Sequence, residues 1–434
     1  MRFPKLTDFN FQGKAVLVRV DFDVPLREVK SEKLKVKNWR VEDDTRIRAC
    51  LPTIEYLLEN GAKVILMGHL GRPEGKMVKE LSLKPVAEKL EEFLNEELKI
   101  KNKKISASPA GRHIKNIKIK EFEAFQILKN LILLENLRFY PEEEKNPSAS
   151  SGQVFAKKLA SLGDFYVNEA FAASHREHAS IVGVPKFLPH CAGFHLVKEV
   201  ENLSKVLENP KRPVVFIIGG AKTETKLPII ENLFDQVDIF LLGGVVANTF
   251  MVAEPNHPKI IGKSLFDKEE LGNAKRILAK EKGEKIEFPG IGKIWKIKIP
   301  TNLVIAKKEN GNFTDMEVVG VGGKSGEVFN QEKMILDIGP ETIDLYKKVI
   351  EQAETVVFAG PLGLVEEEKF SHGTGEVLEV MAKSKAFKVV GGGDTIKALN
   401  KFRLLSKMDF VSLGGGAMLE YLAKGSLPGI EALK

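Results

Sequence analysis

Cysteine is almost missing from this chain: 434 residues hold two, Cys50 and Cys191. Two thiols cannot build a disulfide framework over such a length. That excludes the small cross-linked scaffolds and suits a reducing compartment, with both thiols buried. Long apolar runs are missing too. The best candidate, Ile239 to Ala253, is interrupted by Gly243, Gly244, Asn248 and Thr249, so no membrane span is expected. Residues 1–10 lack an apolar signal core and a small-residue cleavage site, and a cytoplasmic location is expected. Low-complexity tracts are absent, which argues against wholesale disorder. No helix-turn-helix, RNP or Cys/His-finger pattern occurs, so nucleic acid is not an expected partner. Neither G-x-x-x-x-G-K-[ST] nor G-x-G-x-x-G is present, which excludes a P-loop and the standard dinucleotide fingerprint.

What is present is an ordinary globular composition, 43% apolar and 29% charged. One hydrophobic core stops growing near 250–300 residues, so a chain of this length is expected to form two domains. The net charge is +7, and it is unevenly spread. Residues 1–190 carry 33 Lys and Arg against 26 Asp and Glu, and the remainder carries 33 of each. The first half therefore holds all of the excess, either as Lys-rich solvated surface such as Lys115–Lys120 or as a lobe that receives anions.

Short β-branched apolar runs recur, each ended by glycine or another turn residue. They are Ala15–Val20, Lys63–Met67, Leu131–Leu134 and Phe165–Val167, then Pro213–Ile218, Ile239–Leu242, Met334–Leu336, Thr355–Phe358, Lys388–Val390 and Asp409–Ser412. Near-continuous apolar runs predict strands buried on both faces of a parallel sheet. Helical segments such as Arg46–Glu59, Leu83–Glu97 and Gln153–Leu162 lie between them, which predicts α/β architecture twice over. Phe194, Val197, Val200, Leu203 and Leu207 predict one amphipathic helix over Phe194–Leu207, between the two halves. The Lys-rich stretch Lys99–Glu121 reads as a surface excursion. The expected domains are 1–184 and 213–418, with 185–212 as connector and 419–434 as a tail.

Ligands of open α/β sheets bind beyond the carboxyl ends of the strands. In the first half those ends lead into Asp21 and Asp23, His69 and Arg72, Arg138, then His175 and Arg176, while Arg46 opens a helix. Guanidinium groups clamp carboxylate and phosphate in two-pronged fashion, and aspartates hold hydroxyls, which together fit a small phosphorylated acid. Each arginine alone is better read as a surface ion pair; several after successive strands favour the anion site. In the second half the strand ends lead into Gly219-Gly220-Ala221-Lys222, Gly243-Gly244, Gly360-Pro361-Leu362-Gly363, Gly391-Gly392-Gly393-Asp394-Thr395 and Gly414-Gly415-Gly416. Glycine lets backbone N–H groups approach phosphate, and helix N-termini favour anions, so these turns point to a nucleotide. Asp394 is placed to hold Mg²⁺ beside phosphates or to serve as a plain N-cap. Lys222 and Lys226, four apart, share a face if a helix starts there, toward phosphate or toward solvent.

Together the strings RVDF (19–22), HLGRP (69–73), LLENLRF (133–139), GGAK (219–222), LFD (265–267), GGGDT (391–395), GGGA (414–417) and LPG (427–429) resemble the phosphoglycerate kinase family, from about Val16 to Pro428. The resemblance implies two Rossmann-like domains, each a mostly parallel sheet with helices on both faces, joined by a hinge helix. It implies phosphoryl transfer between 1,3-bisphosphoglycerate and Mg-ADP, giving 3-phosphoglycerate and ATP, in a cleft that closes, by a monomeric enzyme. It places Asp21, Asp23, Arg46, His69, Arg72, Arg138 and Arg176 on phosphoglycerate. It places Gly219, Gly220, Lys222, Lys226, Gly243, Gly244, Glu366, Gly391, Gly392, Gly393, Asp394, Thr395 and Gly415 around the nucleotide, with Asp394 as metal ligand and Glu366 on the ribose. Arg46, Lys222, Gly393 and Gly416 would serve the transfer itself. The tail after about Tyr421 would pack on the first domain.

Four positions depart from the family pattern: Asp23 replaces Asn, Gly68 replaces Ser, Ala359 replaces Asn, and Leu413 replaces Thr. They raise a second reading, a catalytically weak paralogue that binds phosphoglycerate or nucleotide as a sensor. Retention of Arg46, Lys222, Lys226, Gly393 and Asp394 favours the enzyme over that reading.

Overall fold

A computed structural model describes residues 3–30, 37–100, 114–145, 150–254, 261–281, 283–321 and 331–434. The chain divides into two compact units: Met1–Glu201 with Ser426–Lys434, and Asn202–Gly425.

The first unit is built on a sheet of strand order Lys115–Ile119, Phe122–Leu128, Leu131–Leu134, Lys63–Met67, Ala15–Arg19, Phe165–Asn168, His190–Ala192. The last five pair in parallel, and the first two form an antiparallel edge. Val16, Leu17 and Val18 are fully buried. A strand covered on both faces has no polar side to show, which is why its sequence does not alternate. Val16 and Val18 share a core with Ile54 and Leu57 of the helix Thr45–Glu59 and with Val86 and Leu90 of the helix Lys84–Ile100.

The edge strand Lys115–Ile119 lies where a surface excursion was expected; residues 101–113 of that stretch lie outside the described residues. Its lysines are exposed, as suits an edge that must not pair with another chain. The turn after it puts Lys120 at φ 51°, with no Asn-Gly or Asp-Gly to announce it.

The second unit holds a wholly parallel sheet of order Ile297–Lys298, Ile239–Leu242, Val214–Ile218, Thr355–Ala359, Phe387–Gly391, Phe410–Ser412. The run Met334–Leu336 is a strand, but not of this sheet. It belongs to Lys333–Ile338, which joins Asn302–Glu309 and Asn312–Gly320 in a separate antiparallel sheet. The hairpin between those two turns on Asn310 and Gly311, at φ 47° and 84°. Both central residues have positive φ, and Asn-Gly supplies that cheaply.

The helix Phe194–Leu207 has the expected bounds. Its buried face is Leu196, Val200, Leu203 and Val206, with Phe194, Val197 and Leu207 half-buried, so the face is turned slightly from the expected stripe. The two units divide inside it, after Glu201. Its first turn is capped from elsewhere. Phe194 N donates to Thr53 Oγ1 (2.9 Å) and His195 N to the buried Glu169 carboxyl (3.1 Å). At the other end of the chain, Gly429 N donates to Ser174 O (2.8 Å) and Gly429 O accepts from Asn168 Nδ2 (3.2 Å), both in the first unit. No helix among the described residues is long and apolar enough to cross a membrane.

In the second unit Tyr346 is fully buried, and its hydroxyl is shared between Leu242 O (2.7 Å) and Lys298 O (2.9 Å), tying two neighbouring strands. Tyr346→Phe leaves both carbonyls without this donor. Urea unfolding should show a loss of about 1–2 kcal/mol at an unchanged slope against denaturant.

Candidate functional site

Four adjacent parallel strands bring their carboxyl ends to one rim of the first unit. Ala15–Arg19 leads to Asp21 and Asp23, Lys63–Met67 to His69 and Arg72, Leu131–Leu134 to Arg138, and Phe165–Asn168 to Arg176. Arg46 arrives from the first turn of the helix Thr45–Glu59. Its Nη1 donates to Asp21 Oδ1 (3.2 Å) and to the Asp23 carbonyl (3.0 Å). Burial pushes the Asp21 carboxyl up, and Arg46 pulls it back. Asp23 Oδ1 accepts from Gly71 N (2.9 Å), and its Oδ2 lies 3.8 Å from His69 Nε2. The extra negative charge at position 23 thus meets a backbone donor and an imidazole.

Arg138 is buried, donates through Nη1 to Gly71 O (2.7 Å), and has Glu144 Oε1 2.9 Å from its Nε. Burial lowers its pKa, and the field of Arg176 lowers it further. Burial also holds His69 well below its usual range, with Arg19, Arg138, His178 and Arg176 adding to the effect. His175 and Arg176 are half-buried, and Arg72 is exposed.

The second unit ends its strands differently, with backbone laid on backbone. Gly220 N donates to Pro361 O (2.7 Å) and Gly244 N to Leu362 O (2.9 Å). A Cβ on Gly219 would stand 2.1 Å from Pro361 O, and one on Gly243 2.4 Å from Leu362 Cδ2. Gly360 N donates to the buried Thr395 Oγ1 (2.8 Å). The helices Gly244–Ala253, Gly393–Lys401 and Gly416–Lys424 all start here, so their free N–H groups and positive dipole ends gather at this rim.

Lys222 and Lys226 do not share a helical face. A 3-10 turn over Thr223–Thr225 separates them before the helix Leu227–Asn232 begins, with Pro228 in its first turn, and Lys222 is exposed while Lys226 is buried. Lys226 Nζ donates to Gly219 O. Burial lowers its pKa to about 8, opposed by Asp394 and Glu224 and assisted by Lys222. Asp394 is not an N-cap. Gly392, at φ 97°, takes that place, and Asp394 sits exposed in the first turn with Lys397 Nζ at 3.5 Å. Gly415 caps the next helix at φ 49°. Gly391 packs on Met418, while Gly393 and Gly416 have open space before them. Glu366 is exposed; neither it nor Arg72 is hydrogen-bonded to another candidate among the described residues. No cluster of three or more His, Cys, Asp or Glu able to hold a metal occurs among the described residues.

The family profile "Phosphoglycerate kinase" matches residues 6–425. The chain belongs to the phosphoglycerate kinase family. Phosphoglycerate kinases of Finegoldia magna and Moorella thermoacetica are 42% and 43% identical to it, over 99% of this chain and 98% of each relative. The phosphoglycerate kinase structure from Coxiella burnetii superposes with a TM-score of 0.76 at 35% identity, covering 100% of this chain and 99% of that one. That from Pyrococcus horikoshii gives 0.76 at 31%, covering 99% and 98%. Membership makes the chain a phosphotransferase with a carboxyl group as acceptor, with 3-phosphoglycerate and ADP or ATP as substrates and a place in glycolysis. The binding-only reading is not favoured.

Residues that support the rim were not singled out in the sequence. Arg19 is fully buried; its place between Val18 and Val20 in an apolar run was the available signal. Asn136 joins two loops of the rim. Its Nδ2 donates to Leu70 O (2.7 Å) and Leu81 O (2.9 Å), and its Oδ1 accepts from Arg138 N (3.1 Å). Nothing in the string E-N-L-R-F distinguishes it from a turn asparagine.

Gly219→Ala forces backbone to move and should cost about 1–3 kcal/mol of stability. Gly393→Ala meets nothing within 4 Å and should stay within about 0.5 kcal/mol of the parent. Thermal or urea unfolding of the pair checks the contrast.

Proposed function

We propose that the first unit binds phosphoglycerate and the second binds the nucleotide. The observation that carries this reading is the contrast of the two rims. One presents guanidinium groups fixed by the buried Asp21 and by backbone carbonyls. The other presents glycine backbone and three helix N-termini. The first suits a carboxylate and a phosphate, and the second a chain of phosphates.

On this reading Arg46, Arg138, Arg176, Arg72 and His69 hold the anionic groups of 3-phosphoglycerate, and Asp21 and Asp23 orient its hydroxyl and the arginine. Gly219, Gly220, Gly243 and Gly244 line the nucleotide pocket, with Glu366 on the ribose and Lys226 on phosphate. Gly391, Gly392, Gly393, Thr395 and Gly415 supply the backbone around the terminal phosphate. Asp394 fits a Mg²⁺ ligand, because this ion keeps waters and substrate phosphates and needs only one or two carboxylates. When bound, Mg²⁺ neutralises phosphate charge. The exposed Asp394 carboxylate, 3.5 Å from Lys397, is open for that role.

The reaction needs no general base. A carboxylate is already ionised at neutral pH. In the ATP-consuming direction its oxygen forms a bond to the γ-phosphorus as the bond from that phosphorus to the bridging oxygen of ADP breaks. Reacting atoms must lie within about 3–3.5 Å for this. Catalysis is then alignment and stabilisation of spread negative charge, assigned to Arg46, Lys222 and the N–H groups at Gly393 and Gly416. We also propose a monomer working in the cytoplasm, for which the two free, buried cysteines suit a reducing compartment.

A coupled assay with 3-phosphoglycerate, Mg²⁺ and ATP tests the assignment. Arg46→Ala should lower kcat about 10²–10³-fold. If kcat were kept and only KM rose, the transition-state role would be wrong. Lys226 gives a pH test. With its pKa lowered to about 8, it is charged below that pH and neutral above. The kcat/KM for nucleotide, which reports the free enzyme, should therefore fall as pH rises through about 8. Lys226→Arg, which stays charged, should remove that limb; a parent profile flat to high pH would sink the phosphate role.

A further inference from the structure

Arg19 lies behind the phosphoglycerate rim proposed above, and one candidate ligand group, His69, lies within hydrogen-bond reach of it among the described residues. Its guanidinium Nη2 is 3.1 Å from His69 Nδ1, with both side chains buried. Guanidinium has five N–H donors, no acceptor, and no accessible neutral form. The nitrogen it meets must therefore offer a lone pair. Nδ1 of His69 is then unprotonated, and the remaining proton of a neutral imidazole sits on Nε2. An imidazolium would set N–H against N–H at this distance. The other side of the ring agrees. The atom near Nε2 is Asp23 Oδ2, at 3.8 Å, which accepts and does not donate. A donor on one side and an acceptor on the other select the same tautomer independently.

Arg19 is itself held on every side. Its Nε donates to Ser180 Oγ (2.8 Å), its Nη1 donates to Val20 O, and Glu143 Oε1 stands 3.9 Å from Nη2. Glu143 accepts from Ser180 N (3.0 Å), and Ser180 O accepts from the Tyr166 hydroxyl (2.8 Å). The guanidinium cannot rotate away without stranding these buried groups. The charged or titratable groups around His69 are Arg19 from its neighbouring strand, Asp23 from the loop beyond, Arg138, and Arg176 and His178 from the segment after Phe165–Asn168. All but Asp23 oppose a second proton on the ring.

We propose that Arg19 is a positioning residue that locks His69 as the Nε2–H tautomer, so that His69 meets phosphoglycerate as a neutral hydrogen-bond donor rather than as a cation. This rests on the assignment of His69 to the phosphoglycerate site. Charge for the anion then comes from the arginines alone, and the contribution of His69 does not change with pH across the neutral range.

The test is a long-range ¹H–¹⁵N correlation spectrum of the full chain labelled with ¹⁵N-histidine, with His69 assigned by its loss in His69→Gln. The expected spectrum shows a protonated Nε2 and a lone-pair Nδ1, unchanged from pH 8 to pH 6. An Nδ1–H tautomer, a mixture, or an imidazolium at pH 6 overturns the lock. Addition of 3-phosphoglycerate should shift the Nε2 signal. A correct tautomer with no response to this ligand, in protein that turns over, overturns the positioning role by removing His69 from the site, and leaves the enzyme reading standing. Arg19→Met should free the ring to populate the other tautomer, while burial still holds its pKa down, and should raise KM for 3-phosphoglycerate at pH 8 about tenfold with kcat little changed. Arg19→Lys, which restores a charged donor, should recover part of that loss. Should Arg19→Met fail to fold, the parent spectrum alone decides.

Discussion

A permanent charge buried at the end of a strand is the constraint around which the first unit is arranged. An ion removed from water costs several kcal/mol unless partners surround it. Arg19 is fully buried, so its neighbours are not optional. Glu143 and Ser180 come to it from segments far along the chain, and Tyr166 fixes the carbonyl of Ser180. That convergence brings the segment after Phe165–Asn168 against the loops after Ala15–Arg19 and Lys63–Met67. The rim proposed to hold phosphoglycerate is therefore stiffened from behind by a buried cation.

The second unit meets the opposite problem. Its candidate pocket is walled by main chain, and main chain can approach main chain only where Cβ is missing. Gly219 against Pro361 and Gly244 against Gly220 leave no room for one. Hydrogen bonds from Gly220 and Gly244 to the 361–362 turn make the loops one piece. Lys226 is the single candidate cation drawn into this wall, where Gly219 O accepts from it. Burial has made its proton easier to lose than that of an exposed lysine.

Much of this was legible in the residues. Buried parallel strands announce themselves because they need apolar side chains on both faces, and Ala15–Arg19, Lys63–Met67 and Ile239–Leu242 fall where the runs do. Loops that carry arginine or glycine directly after such runs must gather at one edge, so Arg72, Arg138 and the glycine pairs could be found without coordinates. Three kinds of information were not legible. Apolar period does not say which sheet a strand joins, and Lys333–Ile338 went to the separate three-stranded sheet. Charge does not say burial. Lys222 and Lys226 look equivalent in sequence, yet one lies on the surface and one inside. Nor does residue type say whether an arginine is exposed or buried: Arg19 sits two residues before Asp21, and its full burial beside His69 is seen only in the structure.

The first unit is not continuous in the chain. It comprises Met1–Glu201 and, after the whole of Asn202–Gly425, Ser426–Lys434. The late segment is bonded in, through Gly429 to Ser174 and Asn168. On a ribosome, domains generally fold as they emerge, the first before the second. Here the part made first cannot be finished first. It must wait, missing one piece, while more than two hundred further residues are added, and a chain cut short by its last nine residues would carry an intact second unit beside an unfinished first.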